Sequence, residues 1–139
     1  MTKEEEITKN LTMIEYYKQQ LESIDAQLQY LSTVLADYQR AKMTVEQLPA
    51  TDSNTEVLIP LGGGAFVNGL VKNTSNILIG IGACLVVEKS VDEALVKLDD
   101  RIKKIQENQE KIVSIGQKIQ SDAEELSQKT QKMMEEAQR

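Results

Sequence analysis

Residues 57–87 read VLIPLGGGAFVNGLVKNTSNILIGIGACLVV and contain a single charged residue, Lys72. Val, Ile and Leu dominate this stretch, and glycines divide it into pieces of the length of a β-strand. The sequence on either side is rich in charged residues and has helical periodicity. Because so apolar a segment is too small to form a core of its own, we interpret it as an assembly module that carries two long helices.

Four strands are predicted within this module, at residues 56–61, 65–71, 77–81 and 84–88. The turn-forming run Asn73–Asn76 predicts a hairpin from the second strand into the third, and two hairpins in series describe the module. Pro60 has no N–H to donate to a neighbouring strand, so we expect a sheet edge, a bend or a bulge there.

The predicted strands are apolar on both faces. Four short strands also leave two sheet edges with unpaired N–H and C=O groups, and such edges pair readily with other chains. Both features predict obligate oligomerisation through a β-barrel or paired sheets built from several subunits. The residues predicted to mediate subunit assembly are Val57, Ile59, Leu61, Phe66, Val67, Leu70, Ile77, Ile79, Ile81, Leu85 and Val87.

Heptad patterns flank the module on both sides. Residues 5–48 contain neither Gly nor Pro, and Pro49 predicts the end of the first helix. Ser90 and Glu93 form a capping box that predicts the start of the second helix. Patterns sustained this long are typical of coiled coils. In the first helix, one heptad column is Ile7, Ile14, Leu21, Leu28, Leu35 and Lys42, and the other is Asn10, Tyr17, Ile24, Leu31, Tyr38 and Val45. In the second helix, one column is Val91, Leu98, Ile105, Ile112, Ile119, Leu126 and Met133, and the other is Leu95, Ile102, Gln109, Gly116, Ala123, Thr130 and Ala137.

The predicted fold class is α+β: a long antiparallel two-helix coiled coil joined by two central β-hairpins that oligomerise into a β-barrel platform. Its segments are a helix at 1–48, a loop and two hairpins at 49–89, and a helix at 90–139. Both chain termini then lie at one end of the helix pair, which we call the terminal end. The apolar residues there either continue the intramolecular seam or form an adaptable apolar contact surface. They are Ile7, Leu11, Met13, Ile14, Leu126, Met133 and Met134.

Composition argues against several other classes of function. The net charge of −6 is unsuited to nucleic-acid binding, and the longest nearly continuous apolar run, at residues 77–87, is shorter than the roughly 20 residues of a membrane span. With no signal peptide in sight, we expect a cytoplasmic protein. Gly62–Gly64 lacks the Lys-Ser/Thr pair of a phosphate loop, so turns and bulges are the favoured interpretation.

The sequence contains no candidate catalytic group. It has no His, and Cys84 is predicted to be a small buried apolar residue within the fourth strand, without a nearby base. We therefore expect neither an enzyme nor a requirement for a metal or cofactor.

The arrangement resembles the α-type subunit of archaeal prefoldin over essentially the whole chain. The most specific parts are residues 57–62 with 65–69, and residues 81–90 leading into 92–94. The resemblance implies an ATP-independent holding chaperone, a hetero-hexamer of two α-type and four β-type subunits on a double β-barrel platform. It further implies that helix ends capture unfolded clients and that clients pass to a group II chaperonin. The seven residues of the terminal end would then be client-binding.

Two alternatives remain from the sequence. A structural coiled-coil scaffold would use the strands only for oligomerisation, and a prefoldin-like chain could assemble with itself into a filament or homo-oligomer.

Overall fold

The computed structural model describes residues 2–138. In chain order the elements are helix α1 (Lys3–Gln47), a short 3-10 helix (Leu48–Ala50), strands β1 (Thr55–Gly62), β2 (Ala65–Val71), β3 (Asn76–Gly82) and β4 (Leu85–Ser90), and helix α2 (Val91–Ala137). The predicted order of helix, two hairpins and helix is confirmed. The chain forms two compact units: a terminal unit of α1 up to Val34 with α2 from Ile105, and a central unit of Leu35–Lys104.

Local sequence explains where both helices begin. The Thr2 hydroxyl accepts a hydrogen bond from the Glu5 N–H at 3.2 Å, and the Glu5 carboxylate accepts one from the Thr2 N–H at 3.1 Å. This is a complete capping box that the sequence analysis missed. At the start of α2, the Ser90 hydroxyl accepts from the Glu93 N–H at 3.2 Å, as predicted.

The heptad columns form the seam between the helices within each unit. Every column position from Ile7 to Val45 in α1, and from Val91 to Met133 in α2, is buried or half-buried. Polar members of the seam have partners there: the Asn10 amide lies 3.8 Å from the Met133 sulfur, and the Gln109 amide 3.5 Å from the Ser32 hydroxyl. The periodicity of the sequence therefore identified the packed faces correctly.

The strands form two separate antiparallel hairpins. β1 pairs with β2, and β3 pairs with β4, in two two-stranded sheets. The predicted hairpin from the second strand into the third was wrong, because the Asn73 side chain instead accepts hydrogen bonds from the N–H groups of Ser75 and Asn76 and forms a local turn. The last residue before β3, Ser75, then accepts a hydrogen bond from the N–H of Val91 at 3.1 Å, which ties β3 to the start of α2.

The two hairpins are an internal repeat with an offset of 20 residues. Register pairs correspond throughout: Ile59 faces Val67 as Ile79 faces Val87, and both ladders shift register at the same place, after Pro60 and after Gly80. The sequence signal is the match of residues 57–62 (VLIPLG) to 77–82 (ILIGIG), which the sequence analysis did not recognise. Each register shift adds one residue to one strand, and such a bulge increases the local twist.

Both hairpins turn through residues with positive φ. In the first hairpin these are Gly62, Gly63 and Gly64, and in the second they are Gly82, Ala83 and Cys84. Cys84, predicted as a buried strand residue, is exposed in this turn at φ 61°, and β4 begins at Leu85. That prediction was wrong because the turn of the second hairpin includes Ala83 and Cys84, at the positions where the first hairpin has Gly63 and Gly64.

The core of the central unit lies where the helices meet the second hairpin. Its buried residues are Val45, Ile79, Val91, Ala94 and Leu98, with Tyr38, Ala41, Ile77 and Leu95 packed against them. Ile79 is 5% exposed, whereas Ile59, its equivalent in the first hairpin, is 47% exposed. The helices thus cover one hairpin of the repeat in this chain.

Candidate functional site

The first hairpin exposes apolar side chains on both of its faces. Val57, Ile59 and Val67 lie on one face, and Phe66 and Leu70 on the other, all of them exposed. Leu61, Ile81 and Leu85, near the turns of the two hairpins, are also exposed. A contiguous apolar surface of this kind on a single chain marks an interaction site.

The second hairpin has one covered face and one exposed face. Ile79 is buried and Ile77 is half-buried in the core formed with the chain's own helices, so these two predicted assembly residues contribute to the fold of the single chain. Val87, which pairs with Ile79 across the ladder, is half-buried. The opposite face carries Leu78, which is 70% exposed, and Val86. Neither was among the predicted assembly residues, and neither was Leu58 of the first hairpin, which is also exposed. The alternation of inward and outward residues along each strand was the signal that could have found them.

Arg101 of α2 holds the second hairpin against the helices. Its guanidinium donates a hydrogen bond to the backbone carbonyl of Gly80 and lies over the ring of Tyr38, 5.9 Å from the ring centroid. The Gly80 carbonyl is next to the register shift of the ladder. The contact therefore fixes the bulged end of β3, and with it the orientation in which the exposed face carrying Leu78 is presented.

Each sheet has only two strands, so within residues 2–138 no further strand pairs with the outer edges of either hairpin. An isolated two-stranded sheet is at best marginally stable in water. Open edges and exposed apolar faces are both suited to the addition of strands from other chains.

The seven residues predicted for the terminal end differ in their exposure to solvent. Leu11, Met13 and Met134 are exposed. The other four, Ile7, Ile14, Leu126 and Met133, are half-buried in the seam of the terminal unit. The exposed three lie off the heptad columns, and their side chains are available for contact with another molecule.

Within residues 2–138, no group of three or more His, Cys, Asp or Glu side chains could hold a metal ion. In the same part of the chain, no helix is long and apolar enough to cross a membrane. Gly62–Gly64 leads directly into strand β2, as expected for a turn, whereas a phosphate loop would be followed by a helix.

These features define a class of protein: a helix-pair subunit whose central hairpins are built to assemble with other chains. The comparisons with known proteins agree. The family model of prefoldin subunits matches residues 17–136. Prefoldin subunit alpha of Archaeoglobus fulgidus is 34% identical over 104 residues, 75% of this chain and 76% of that protein. Prefoldin subunit alpha 1 of Thermococcus kodakarensis is 31% identical over 103 residues, 71% of this chain and 70% of that protein.

Solved structures show the same fold. A cryo-EM structure of filamentous PFD from Methanocaldococcus jannaschii superposes with a TM-score of 0.72 at 23% identity, covering 81% of this chain and 93% of that one. The crystal structure of the prefoldin beta subunit from Thermococcus strain KS-1 gives a TM-score of 0.59 at 17% identity, covering 91% and 90%. The chain belongs to the prefoldin family, a family of non-enzymatic chaperones, and is a prefoldin chaperone subunit.

Proposed function

We propose that this chain is the α-type subunit of an ATP-independent holding chaperone that captures unfolded proteins at the terminal ends of its helix pairs. The observation that carries the proposal is the exposure of Leu11, Met13 and Met134 in the terminal unit. Methionine is flexible and polarizable, so a surface containing it adapts to varied apolar partners. A chaperone for unrelated clients requires such a surface.

Capture is weak at each helix pair and strong in the assembly. Burial of apolar surface contributes roughly 25 cal/mol per Å², so the few exposed side chains of one terminal end bind a client only transiently. Several subunits acting on one client raise the overall affinity through effective concentration. Weak individual contacts also let the client leave without nucleotide hydrolysis, for transfer to a group II chaperonin in the cytoplasm.

Assembly proceeds through the hairpins. The open edges and exposed apolar faces of both hairpins support pairing with prefoldin β-type subunits, two α-type with four β-type chains around a double β-barrel. The partners are therefore β-type subunits, unfolded clients and the chaperonin, without nucleic acid or membrane. The equivalent register of the two hairpins supports two similar binding positions for partner strands on each chain.

A second assembly is supported by the likeness to filamentous PFD. In that case the chain associates with itself. Native mass spectrometry of the complex from its source distinguishes the two: two copies with four of a smaller chain indicate the hetero-hexamer, and a series of homo-oligomers indicates the filament.

Capture is tested by suppression of the aggregation of a denatured protein. In the assembled complex, changing Leu11, Met13 and Met134 together to Ser should weaken suppression severalfold. Met43→Ser is the matched control, because Met43 is 59% exposed but belongs to the central unit. Full suppression by the triple variant would exclude capture by these residues. A wild-type complex that fails to suppress aggregation would favour a structural scaffold.

A further inference from the structure

One flank of α1 in the terminal unit is uncharged over a long run of helically spaced positions. These are Met13, Tyr16, Gln20, Ser23, Gln27 and Tyr30. Alternating steps of three and four residues place these side chains along one side of the helix. The other flank has the same spacing but is charged, with Glu15, Lys18, Glu22 and Asp25. We call the first set the uncharged flank.

The uncharged flank borders a groove between the helices of the terminal unit, in which two neighbouring sections share lining residues. A section of about 410 Å³ is lined by Ser23, Gln27, Tyr30 and Asn108, among others. A neighbouring section of about 260 Å³ shares Ser23 and Gln27 and continues past Ile115. Tyr30 is 69% exposed, and Ile115 is exposed as well. The groove thus combines apolar surface with side-chain amides and hydroxyls.

This chemistry matches an extended polypeptide. Amide side chains carry both donors and acceptors and can pair with the free N–H and C=O groups of an unfolded chain. Tyrosine offers a large amphipathic contact area at low cost in conformational entropy, as it does in antibody binding loops. On this flank the Gln20 amide donates to the Tyr16 hydroxyl at 3.0 Å, and the Gln27 amide lies 3.4 Å from the Ser23 hydroxyl, so the polar groups are already partly ordered.

We propose that the uncharged flank binds an extended, uncharged segment of an unfolded client, and so lengthens the capture surface from Met13 to Tyr30. The inference rests on the proposed function, since it starts from the terminal end. From Met13 to Tyr30 the helix rises by about 26 Å, a distance that about eight residues of an extended chain cover. A folded helix would be a poorer occupant, because its backbone groups are already paired and cannot use the amides.

Site-specific photo-crosslinking tests the proposal in the assembled complex. In separate variants, a photoreactive amino acid replaces Tyr30 on the uncharged flank, Met13 where the flank meets the terminal end or, as the matched control, Gln29, which is exposed on the charged side. The probe is reduced, carboxymethylated lactalbumin, a permanently unfolded chain. We expect the Tyr30 position to crosslink to the probe and the Gln29 position to do so several times less.

The outcomes separate the two proposals. Crosslinking to the probe from Met13 but not from Tyr30 would overturn the flank and leave capture at the terminal end intact. If Tyr30 instead crosslinks to a neighbouring subunit, and adding the probe does not change this, the flank belongs to assembly. That result would also overturn the proposal for the flank. A complex that neither crosslinks to the probe from Met13 nor suppresses aggregation would overturn both the flank and capture at the terminal end.

Charge insertion provides an independent test. Changing Ser23 and Gln27 to Glu should weaken binding of the same probe by at least about threefold, because each carboxylate must lose water against a neutral chain. Gln29→Glu adds charge on the other flank and should leave binding unchanged. Glu favours helix formation, so all variants should unfold at similar temperatures. Equal binding by the Ser23/Gln27 variant and the Gln29 variant would contradict the proposal.

Discussion

Lys42 of α1 and Asp99 of α2 form an ion pair, with 2.7 Å between the Lys42 Nζ and the Asp99 Oδ1. Lys42 is the charged member of a heptad column that is otherwise apolar. The hydrogen bond to Asp99 and the charge of Asp99, with a smaller contribution from Glu46, raise the pKa of Lys42 above its ordinary value of 10.5. The pair therefore places a charge in the seam of the central unit with its partner already supplied by the other helix.

The raised pKa predicts how this pair depends on pH. Because the folded chain holds the Lys42 proton more tightly than the unfolded chain, its contribution to stability is fully present below pH 10.5 and lost as the pH rises through the folded pKa. Asp99→Asn should lower the Lys42 pKa in an NMR titration. The difference in Tm between wild type and Asp99→Asn should shrink above pH 10.5, and a difference that stays constant there would contradict this account.

The equivalent isoleucines of the repeat should differ in their effect on stability. Ile79→Ala removes a buried side chain from the central core and should lower the free energy of unfolding by about 2–5 kcal/mol. Ile59→Ala changes a side chain that is exposed in the single chain and should cost far less there, while weakening assembly. Chemical denaturation of the isolated chain measures the first effect, and the mass of the complex reports the second. Equal losses of stability would show that the hairpins are packed alike.

Arg101 should control the mobility of the second hairpin. Arg101→Ala removes the hydrogen bond to the Gly80 carbonyl and the contact with the Tyr38 ring, at a cost of about 1 kcal/mol. Hydrogen exchange should then accelerate in β3 and β4 and stay unchanged in β1 and β2. Arg101→Lys keeps the charge but loses the planar group, so it should restore only part of the protection.

Gly116→Ala should stabilise the helix pair. Gly116 lies in the seam of the terminal unit, and an added Cβ would meet the Ile24 Cγ2 at 3.4 Å, which is ordinary contact. Alanine is favoured over glycine in a helix by about 1 kcal/mol, so Tm should rise. A fall in Tm would mean that Ile24 cannot accommodate the methyl group, and Gly116→Val, with a branched side chain, should be worse than Gly116→Ala.

Cys84→Gly should stabilise the second hairpin. Cys84 has φ 61°, and its equivalent in the first hairpin is Gly64. A residue with a side chain pays about 1–2 kcal/mol in this conformation, and the greater freedom of glycine in the unfolded chain offsets part of the gain. We expect a small rise in Tm, with Cys84→Val, which is branched at Cβ, showing a fall instead.

The features that depend on local spacing could be predicted from the sequence. Heptad columns identified the packed faces of both helices, Ser90 and Pro49 marked helix ends, and the glycines marked the turns, because each signal comes from residues close together in the chain. The capping box of Thr2 and Glu5 and the 20-residue repeat could have been predicted in the same way, because both are visible in the sequence.

Local spacing could not predict which strands pair or which hairpin the helices cover. The alternation in β1 and β3 is nearly the same, so local pattern cannot tell why Ile79 is buried and Ile59 is exposed. The difference arises from contacts distant in sequence: Arg101 binds the Gly80 carbonyl, and Val45 and Leu98 pack in one cluster with Ile79. Those contacts select one of two equivalent hairpins and leave the other free for a partner.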